Sequence, residues 1–304
     1  MTDTSPAGQV RTYYGQPVLK RPTWTFYIPS YFYLGGLAAG SSLLAAGADA
    51  TGDQPLARAA RVTALGALGV GMPALVADLG RPARFHHMLR VVRPTSPMNV
   101  GSWLLSAYGP MVGIAALSDV TGRARVLGAV ATWGAAALAP GVATYTGVLL
   151  ADTAIPAWHD ARRMIPALFA AGAAASSGGI ATVILPDAKP ARSFAIGGAL
   201  TEAAIASTHH RRLPEEVARA YNTGRPATLQ RFASAASLAG AFLVASAGRS
   251  RVRARLGGAV IAAGALAERF AVTEAGHASA ADPVATIGPQ RATRAQIAPA
   301  GACL

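Results

Sequence analysis

The stretch MIPALFAAGAAASSGGIATVILP (Met164–Pro186) contains 23 residues and no charged side chain. A membrane-spanning helix needs about 20 consecutive, predominantly apolar residues, so this stretch is long enough to cross a bilayer. Three more uncharged runs reach the same length, namely Pro22–Ala48, Pro94–Ser118 and Val126–Ala151. The repetition of such runs predicts an integral membrane protein.

The composition of the whole chain agrees with that prediction. Of its 304 residues 52% are hydrophobic and only 13% are charged, and the mean hydropathy is +0.34. A soluble domain carries about 25% charged residues, and a membrane β-barrel shows short alternating segments instead of long apolar runs. We therefore expect an all-α membrane protein, a bundle of about eight transmembrane helices. The predicted spans are 24–48, 59–78, 100–118, 125–150, 163–185, 190–208, 231–248 and 254–272.

These spans suggest four parts of the chain. Residues 1–23 form a polar N-terminal tail, and residues 24–185 hold the first five spans and most of the informative polar side chains. Residues 186–272 contain three further spans. Residues 273–304 are rich in Ala, Pro, Gly and charge, a composition typical of disorder.

The formal net charge of +13 does not indicate nucleic-acid binding. The 27 Lys and Arg residues are spread over the loops between the spans. Lys and Arg residues in such loops set the topology of a membrane protein and contact anionic lipid headgroups. With eight spans, both termini and the second, fourth and sixth loops share one face, and that face has the larger number of Lys and Arg. The positive-inside rule then places both termini in the cytoplasm.

The second loop is the most charged part of the first half of the chain. It lies in VADLGRPARFHHMLRVVRPTSPMNVGSWLL (Val76–Leu105), and its prolines stiffen it. A stiff basic loop at a membrane surface suits docking of an acidic partner protein, although simple headgroup binding is the alternative. The predicted docking residues are Arg81, Arg84, His86, Arg90 and Arg93, together with Trp158 and His159 of the fourth loop.

Several polar side chains of the spans fall near the same face as this loop. Tyr27 and Tyr31 lie one turn apart at the start of the first span, and Tyr145 and Asp152 lie at the end of the fourth. Asp78 ends the second span, where an unpaired carboxylate is costly, so we expect Arg81 to pair with it. Either this pair only fixes the loop, or Asp78 handles protons beside a redox ligand.

The sequence offers no set of cofactor ligands within its predicted spans, but two of these spans each contain a glutamate residue. Haem in a membrane bundle needs axial ligands on facing helices, and none of the six His residues lies in the middle of a predicted span, so we expect no haem. A single cysteine, Cys303, cannot hold an iron–sulfur cluster. Glu202 and Glu268 fall within the sixth and eighth spans, where Arg269 is the expected partner of Glu202 in a structural ion pair.

Five ordered blocks between Trp24 and Leu185 resemble the membrane-subunit family of polysulfide reductase and NrfD proteins. The blocks are YFYLGGLAAGS, DLGRPARFHHML, PTSPMNVGSWLL, YTGVLLADTAIPAW and IPALFAAGAAASSG. The resemblance implies an eight-helix subunit of the bacterial cytoplasmic membrane that reacts with menaquinone or another quinone and holds no cofactor of its own. Electrons would pass between quinone and a ferredoxin-like iron–sulfur subunit, which serves a molybdopterin or multihaem catalytic subunit.

The resemblance also implies roles for individual residues. Tyr31 stands where polysulfide reductase has a quinone-contacting His, and Tyr145 falls near the family's quinone-contacting Tyr. A polar Asn of that enzyme is replaced by Ile28. The expected quinone-binding residues are Tyr27, Tyr31, Tyr145 and Asp152. The expected catalytic residues are Tyr31, Tyr145 and Asp78, of which Asp78 would relay the proton.

Two other functions also suit a chain of this composition. Carboxylates within spans are compatible with a proton-coupled transporter, and the basic loop alone is compatible with a purely structural membrane anchor. A transporter is expected to break its helices at the membrane midplane, whereas the polar residues here lie at one face.

Overall fold

The computed structural model describes residues 19, 20, 22–79 and 81–287, and these are helical with no strand. A 3-10 helix, Pro82–Leu89, lies between the second and third α-helices. The α-helices are α1 (Tyr27–Thr51), α2 (Gln54–Ala77), α3 (Pro97–Thr121), α4 (Arg125–Ala151), α5 (Pro156–His159), α6 (Ile165–Ile184), α7 (Lys189–Arg212), α8 (Glu215–Asn222), α9 (Gly224–Ala245) and α10 (Arg251–Ala281).

The chain is an all-α membrane protein, as the composition predicts. In the described part five helices, α2, α3, α4, α6 and α10, are both long enough and apolar enough to cross a bilayer. The helices α1, α7 and α9 have 25, 24 and 22 residues, enough to span, but they do not combine high hydropathy with few charged residues as the other five do. Five spans therefore meet both criteria, and the number eight stays a prediction.

The long helices pack as two groups of four. In the first group α1 contacts α2 and α4, and α3 contacts α4. In the second group α6 contacts α7 and α10, while α9 contacts both α7 and α10. The groups meet where α6 packs against α1 and α4. The predicted division of the chain after residue 185 falls between α6 and α7, which pack closely together.

The predicted limits of two elements were wrong. The helix α10 continues to Ala281, so residues 273–281 do not belong to a disordered tail; Thr273, Ser279 and Ala280 are buried in the fold. The helix α9 begins at Gly224, seven residues before the predicted span, and contacts the short helix α8. The tails 1–18 and 288–304, including Cys303, lie outside the described residues.

A partly buried ion network connects α1, α2, α3 and α4 at the end of these helices opposite the charged second loop. Arg61 of α2, whose side chain is 10% exposed, pairs with Asp49 of α1 and with Asp119 of α3. Its Nε donates to Thr132 Oγ1 of α4 at 3.1 Å. One guanidinium thereby connects all four helices, and its five donors are well suited to that role.

Small residues allow α1 and α6 to approach each other closely. A Cβ placed on Gly36 would lie 3.4 Å from Ala173 Cβ, and one on Gly40 would overlap the Ala173 carbonyl and the Ser177 hydroxyl. Because lipid tails are as apolar as the helices, helix association in a membrane depends on such close packing. The two glycines are therefore structural.

Gly40→Ala is expected to lower the thermal unfolding temperature of the purified protein in detergent. The added methyl group must push α1 from α6, and overpacking of this kind costs about 1–3 kcal/mol. The matched control is Gly47→Ala in the same helix, where a Cβ meets nothing within 4 Å. That control gains helix propensity of up to about 1 kcal/mol. Equal unfolding temperatures for the two variants would contradict the packing role of Gly40.

Candidate functional site

A cavity of about 190 Å³ lies at one end of the group formed by α1, α2, α3 and α4. The charged second loop lies at the same end. The cavity is several times larger than the roughly 30 Å³ that one water molecule occupies in the liquid. It is bounded by the segment before α1, by α1, by the ends of α2 and α4, by the 3-10 helix and by the start of α3. Its lining residues are Thr23, Trp24, Ile28, Tyr31, Phe32, Leu75, Asp78, Leu79, Met88, Met98, Gly101, Ser102, Leu105, Tyr145 and Leu149.

The structure brings together the three residues that the sequence places in catalysis. Tyr31 of α1, Asp78 at the C-terminus of α2 and Tyr145 of α4 all line the cavity. They come from three helices and are separated by up to 114 positions in the chain. Their convergence makes this cavity the candidate site.

Tyr31 is the most buried polar side chain of the cavity, with 2% of its surface exposed. Its hydroxyl has no hydrogen-bond partner among the described protein atoms. A buried hydroxyl without a partner costs about 1–3 kcal/mol, and this cost is relieved when a ligand oxygen accepts its hydrogen. Tyr31 is thus a donor available to a ligand in the cavity.

Asp78 is held by Thr25 and not by Arg81. The Thr25 hydroxyl donates to Asp78 Oδ1 at 2.7 Å, and the Thr25 amide donates to the same oxygen at 3.2 Å. The predicted ion pair with Arg81 was wrong, because the chain turns into the 3-10 helix after α2 and leaves Arg81 exposed. Both bonds go to Oδ1, so Oδ2 receives none from the described residues and stays available to the cavity.

Two stacked tryptophans fix the segment that carries Thr25. The ring of Trp24 lies on that of Trp158, with 5.2 Å between centroids, and meets Phe32 edge-on at 6.3 Å. Trp158 is 1% exposed, and its Nε1 donates to the Val272 carbonyl at 2.8 Å. Trp158 was therefore wrongly predicted to dock a partner: the short helix α5 turns its ring inward against α10. His159, the next residue, is exposed.

A glycine on α3 sets the position of Tyr145. A Cβ on Gly101 would overlap the Tyr145 ring, so α3 and α4 approach closely only because residue 101 has no side chain. The phenol is partly buried and faces the cavity from α4. Sequence reasoning did not identify Gly101, because nothing local marks a helix glycine that faces an aromatic ring.

Two predicted quinone contacts lie outside the cavity. Tyr27 is 37% exposed at the first turn of α1, where its ring packs on that of Phe26. Asp152 is exposed beyond the end of α4 and lines a different, more open cavity of about 760 Å³ that also contains His159, Asp160 and Arg162. One helical turn separates Tyr27 from Tyr31, yet only Tyr31 points into the bundle.

The charged loop forms one wall of the site and presents its cations outward. The side chains of all five predicted docking residues of this loop are exposed: Arg81, Arg84, His86, Arg90 and Arg93. The rings of His86 and His87 meet edge-on at 4.5 Å. Loss of hydration, and then the charges of Arg90 and His86, lower the pKa of His87.

Asn99, which sequence reasoning missed, fastens this loop to the first turn of α3. Its Nδ2 donates to the carbonyls of Met88 and Val91, each at 2.8 Å, and its Oδ1 accepts from the Arg93 amide at 2.6 Å. Ser96 caps the same helix by accepting from the Asn99 amide. The only local signal was an Asn close to a predicted helix start, a position where its side chain bonds to nearby backbone.

These features define a class of protein, an all-helical membrane protein with a partly polar cavity at one end of its first four helices. Residues 18–193, more than half of the chain, match the family model described as polysulphide reductase, NrfD. The chain belongs to this family, as the five sequence blocks predict. A comparison with curated protein sequences found no match.

Asn99→Ala is expected to free the loop without unfolding the bundle. It removes three hydrogen bonds of about 0.5–1.5 kcal/mol each, so amide hydrogen exchange over residues 82–96 is expected to accelerate by about tenfold or more. Hydrogen–deuterium exchange with mass spectrometry measures this. Ser106→Ala is the control, since that exposed hydroxyl bonds only to the Ser102 carbonyl of its own helix. Unchanged exchange in the Asn99 variant would mean that other contacts hold the loop.

Proposed function

We propose that this protein is the membrane anchor and quinone-reactive subunit of a multisubunit oxidoreductase. It passes electrons between the quinone pool of a bacterial cytoplasmic membrane and an iron–sulfur partner subunit. The observation that carries the proposal is the convergence of Tyr31, Asp78 and Tyr145 on one cavity in a chain of the NrfD family.

The lining of the cavity suits an amphipathic ring with an apolar tail. Leucine and methionine side chains form much of the wall, and the polar groups are few and convergent, which is typical of small-molecule sites. A quinone headgroup needs such a combination, with donors near its carbonyl oxygens and an apolar exit for its chain. The leucine and methionine residues of the lining are Leu75, Leu79, Met88, Met98, Leu105 and Leu149.

The polar groups of the cavity match the protons that quinone chemistry requires. Reduction of a quinone to a quinol takes up two electrons and two protons. Tyr31 offers its buried hydroxyl to one carbonyl oxygen, and Tyr145 is placed to contact the ring from α4. Asp78, half-buried between the cavity and the exposed loop, is the group that exchanges protons with water.

The exposed cations of the loop are the proposed docking surface for the partner. A ferredoxin-like iron–sulfur subunit is the proposed occupant, and it would connect this chain to a molybdopterin or multihaem catalytic subunit. Docking on this loop brings an electron carrier next to the cavity wall, since Met88 of the same 3-10 helix lines the cavity. With the excess of Lys and Arg on this face, the proposed orientation has both termini in the cytoplasm.

The proposal is tested by quinol-coupled electron transfer in the complex, purified with its native partners in mild detergent. Asp78→Asn is expected to lower the rate by about 10²-fold or more, as loss of a general acid–base group does. Tyr31→Phe is expected to lower it by about tenfold, the equivalent of roughly 1.4 kcal/mol for a lost hydrogen bond to the bound ring. Tyr27→Phe is the matched control, because Tyr27 lies outside the cavity.

Full activity in both the Asp78 and Tyr31 variants would refute the proposed site. A purified chain without iron–sulfur partners, in which quinone analogues bind nowhere, would favour a transporter or a structural anchor instead. Mass spectrometry of the co-purified chains distinguishes these outcomes, because only the complex subunit retains redox partners.

Thr25 is proposed to position Asp78 for this chemistry. Thr25→Val removes the hydroxyl donor at 2.7 Å and keeps the branched shape and the amide, so the carboxylate loses one of its two restraints. We expect a several-fold lower rate of quinol-coupled electron transfer, consistent with one hydrogen bond of about 1 kcal/mol. Thr25→Ser restores the donor and is expected to restore the rate, whereas a defect shared by both variants would indicate a role in packing alone.

A further inference from the structure

A second polar centre lies inside the group formed by α6, α7, α9 and α10. Glu202 of α7 and the adjacent Glu268 and Arg269 of α10 are only 2%, 3% and 2% exposed. Arg269 Nη1 lies 3.5 Å from Glu202 Oε1, which confirms the ion pair predicted from the sequence. None of these residues lines the cavity at Asp78, and the quinone chemistry proposed above does not use them.

The charges of this centre do not balance. A single guanidinium, which is always protonated in proteins, faces two carboxyl groups. If both carboxyl groups were ionised, a net negative charge would be buried in a medium of low dielectric constant, where an uncompensated charge is strongly destabilising.

The other groups that face this centre from the described residues bring no second cation. Gln230 of α9 donates its Nε2 to Glu268 Oε2 at 2.8 Å. From α6, the Phe169 carbonyl accepts from Arg269 Nη2 at 2.7 Å, and the Phe169 ring lies 4.0 Å from the guanidinium carbon. Two neutral phenols complete the surroundings: Tyr33 of α1 near Arg269 and Glu202, and Tyr221 of α8 near Glu268. Among the described residues, Arg269 is therefore the only positive charge acting on the two carboxyl groups.

Several buried acceptors of the centre lack donors. Both carboxyl oxygens of Glu202 and the amide oxygen of Gln230, a residue only 6% exposed, have no hydrogen-bond partner among the described residues. Arg269 Nε and Nη1 make no hydrogen bond either, although Nη1 lies 3.5 Å from Glu202 Oε1. Buried polar atoms in native proteins are nearly always paired. A proton on one of the carboxyl groups neutralises the centre and adds a donor beside the acceptors that Arg269 leaves without a hydrogen bond.

A metal cation fits this centre less well than a proton does. A methyl group on Gly172 of α6 would already overlap the side chains of Glu202 and Arg269, so the space beside the pair is filled. The guanidinium also repels any cation that approaches Glu202, whereas a proton is carried on the carboxyl oxygen itself and needs no ligand shell.

We propose that Glu202 and Glu268 share one exchangeable proton, which makes this cluster a buried proton-binding site separate from the cavity at Asp78. The proton lies on either carboxyl group while the other stays ionised beside Arg269. This inference does not depend on quinone binding.

Infrared spectroscopy of the purified full-length protein at neutral pH tests the proposal through the carbonyl stretch of a protonated carboxyl group. We expect this band in the wild-type protein and its loss in Glu202→Gln and equally in Glu268→Gln, because either change leaves one carboxylate for one guanidinium. Glu274→Gln is the control and is expected to keep the band, since Glu274 is 31% exposed on the same helix and lies 3.7 Å from Arg225 Nη1. Arg269→Gln is expected to increase the band about twofold, because both carboxyl groups then lose the charge that keeps one of them ionised.

Three results would overturn the proposal. Absence of the band from the wild-type protein would show that both carboxyl groups are ionised, and this spectrum decides the matter even if a variant fails to fold. Loss of the band in only one of the two Gln variants would assign the proton to a single carboxyl group. A wild-type band that appears only when sodium is replaced by choline would show that the centre binds a metal cation.

Discussion

The close contact of α6 with its neighbours is the constraint on which the other features depend. A Cβ on Gly178 would meet the Ala195 backbone of α7, and one on Gly179 would lie 2.6 Å from the Gly258 carbonyl of α10. On its other side α6 lies against Gly40 of α1. Since lipid supplies no hydrophobic drive for helix association, backbone-to-backbone packing of this kind must hold the two groups of helices together. A single helix poor in side-chain volume therefore joins the group that contains the cavity to the group that contains the buried carboxyl pair.

The cavity is kept in shape by contacts made outside the helices that form it. The segment before α1 stacks Trp24 on Trp158, and this contact places Thr25 where both of its donors reach Asp78. On the opposite wall Asn99 ties the 3-10 helix to α3. The Asp78 carboxyl group is thus oriented by a non-helical segment, and the wall that contains Met88 is held by a bond from the 3-10 helix to α3.

The described chain contains two networks of charged side chains within the helix bundle, and they differ in how their charges are balanced. Arg61 lies at the end of α1–α4 opposite the cavity. It forms ion pairs with Asp49 and Asp119 and connects four helices. In the second group Arg269 faces two carboxyl groups and matches only one of them. In the first arrangement a second guanidinium, that of Arg58, lies 3.7 Å from Asp119 Oδ2, so two cations face two carboxyl groups. The second arrangement has one cation for two carboxyl groups and leaves buried acceptors that a proton would satisfy. The balance between cations and carboxyl groups thus distinguishes the structural network from the candidate proton site.

The sequence by itself determined the class of fold and much of the site, because apolar run length and charge placement are local properties. It predicted the membrane helices, the family, the exposed basic loop, the Arg269–Glu202 pair and the residues Tyr31, Asp78 and Tyr145 that meet in the cavity. The tertiary structure alone decided which neighbours each polar group has. Asp78 accepts hydrogen bonds from Thr25, 53 positions away, and does not pair with nearby Arg81. Trp158 is buried against α10, although its position in a predicted loop suggested that it lies at the surface. Such pairings depend on how helices cross and which face each turns to the bundle, and these result from packing over the whole chain rather than from any local pattern.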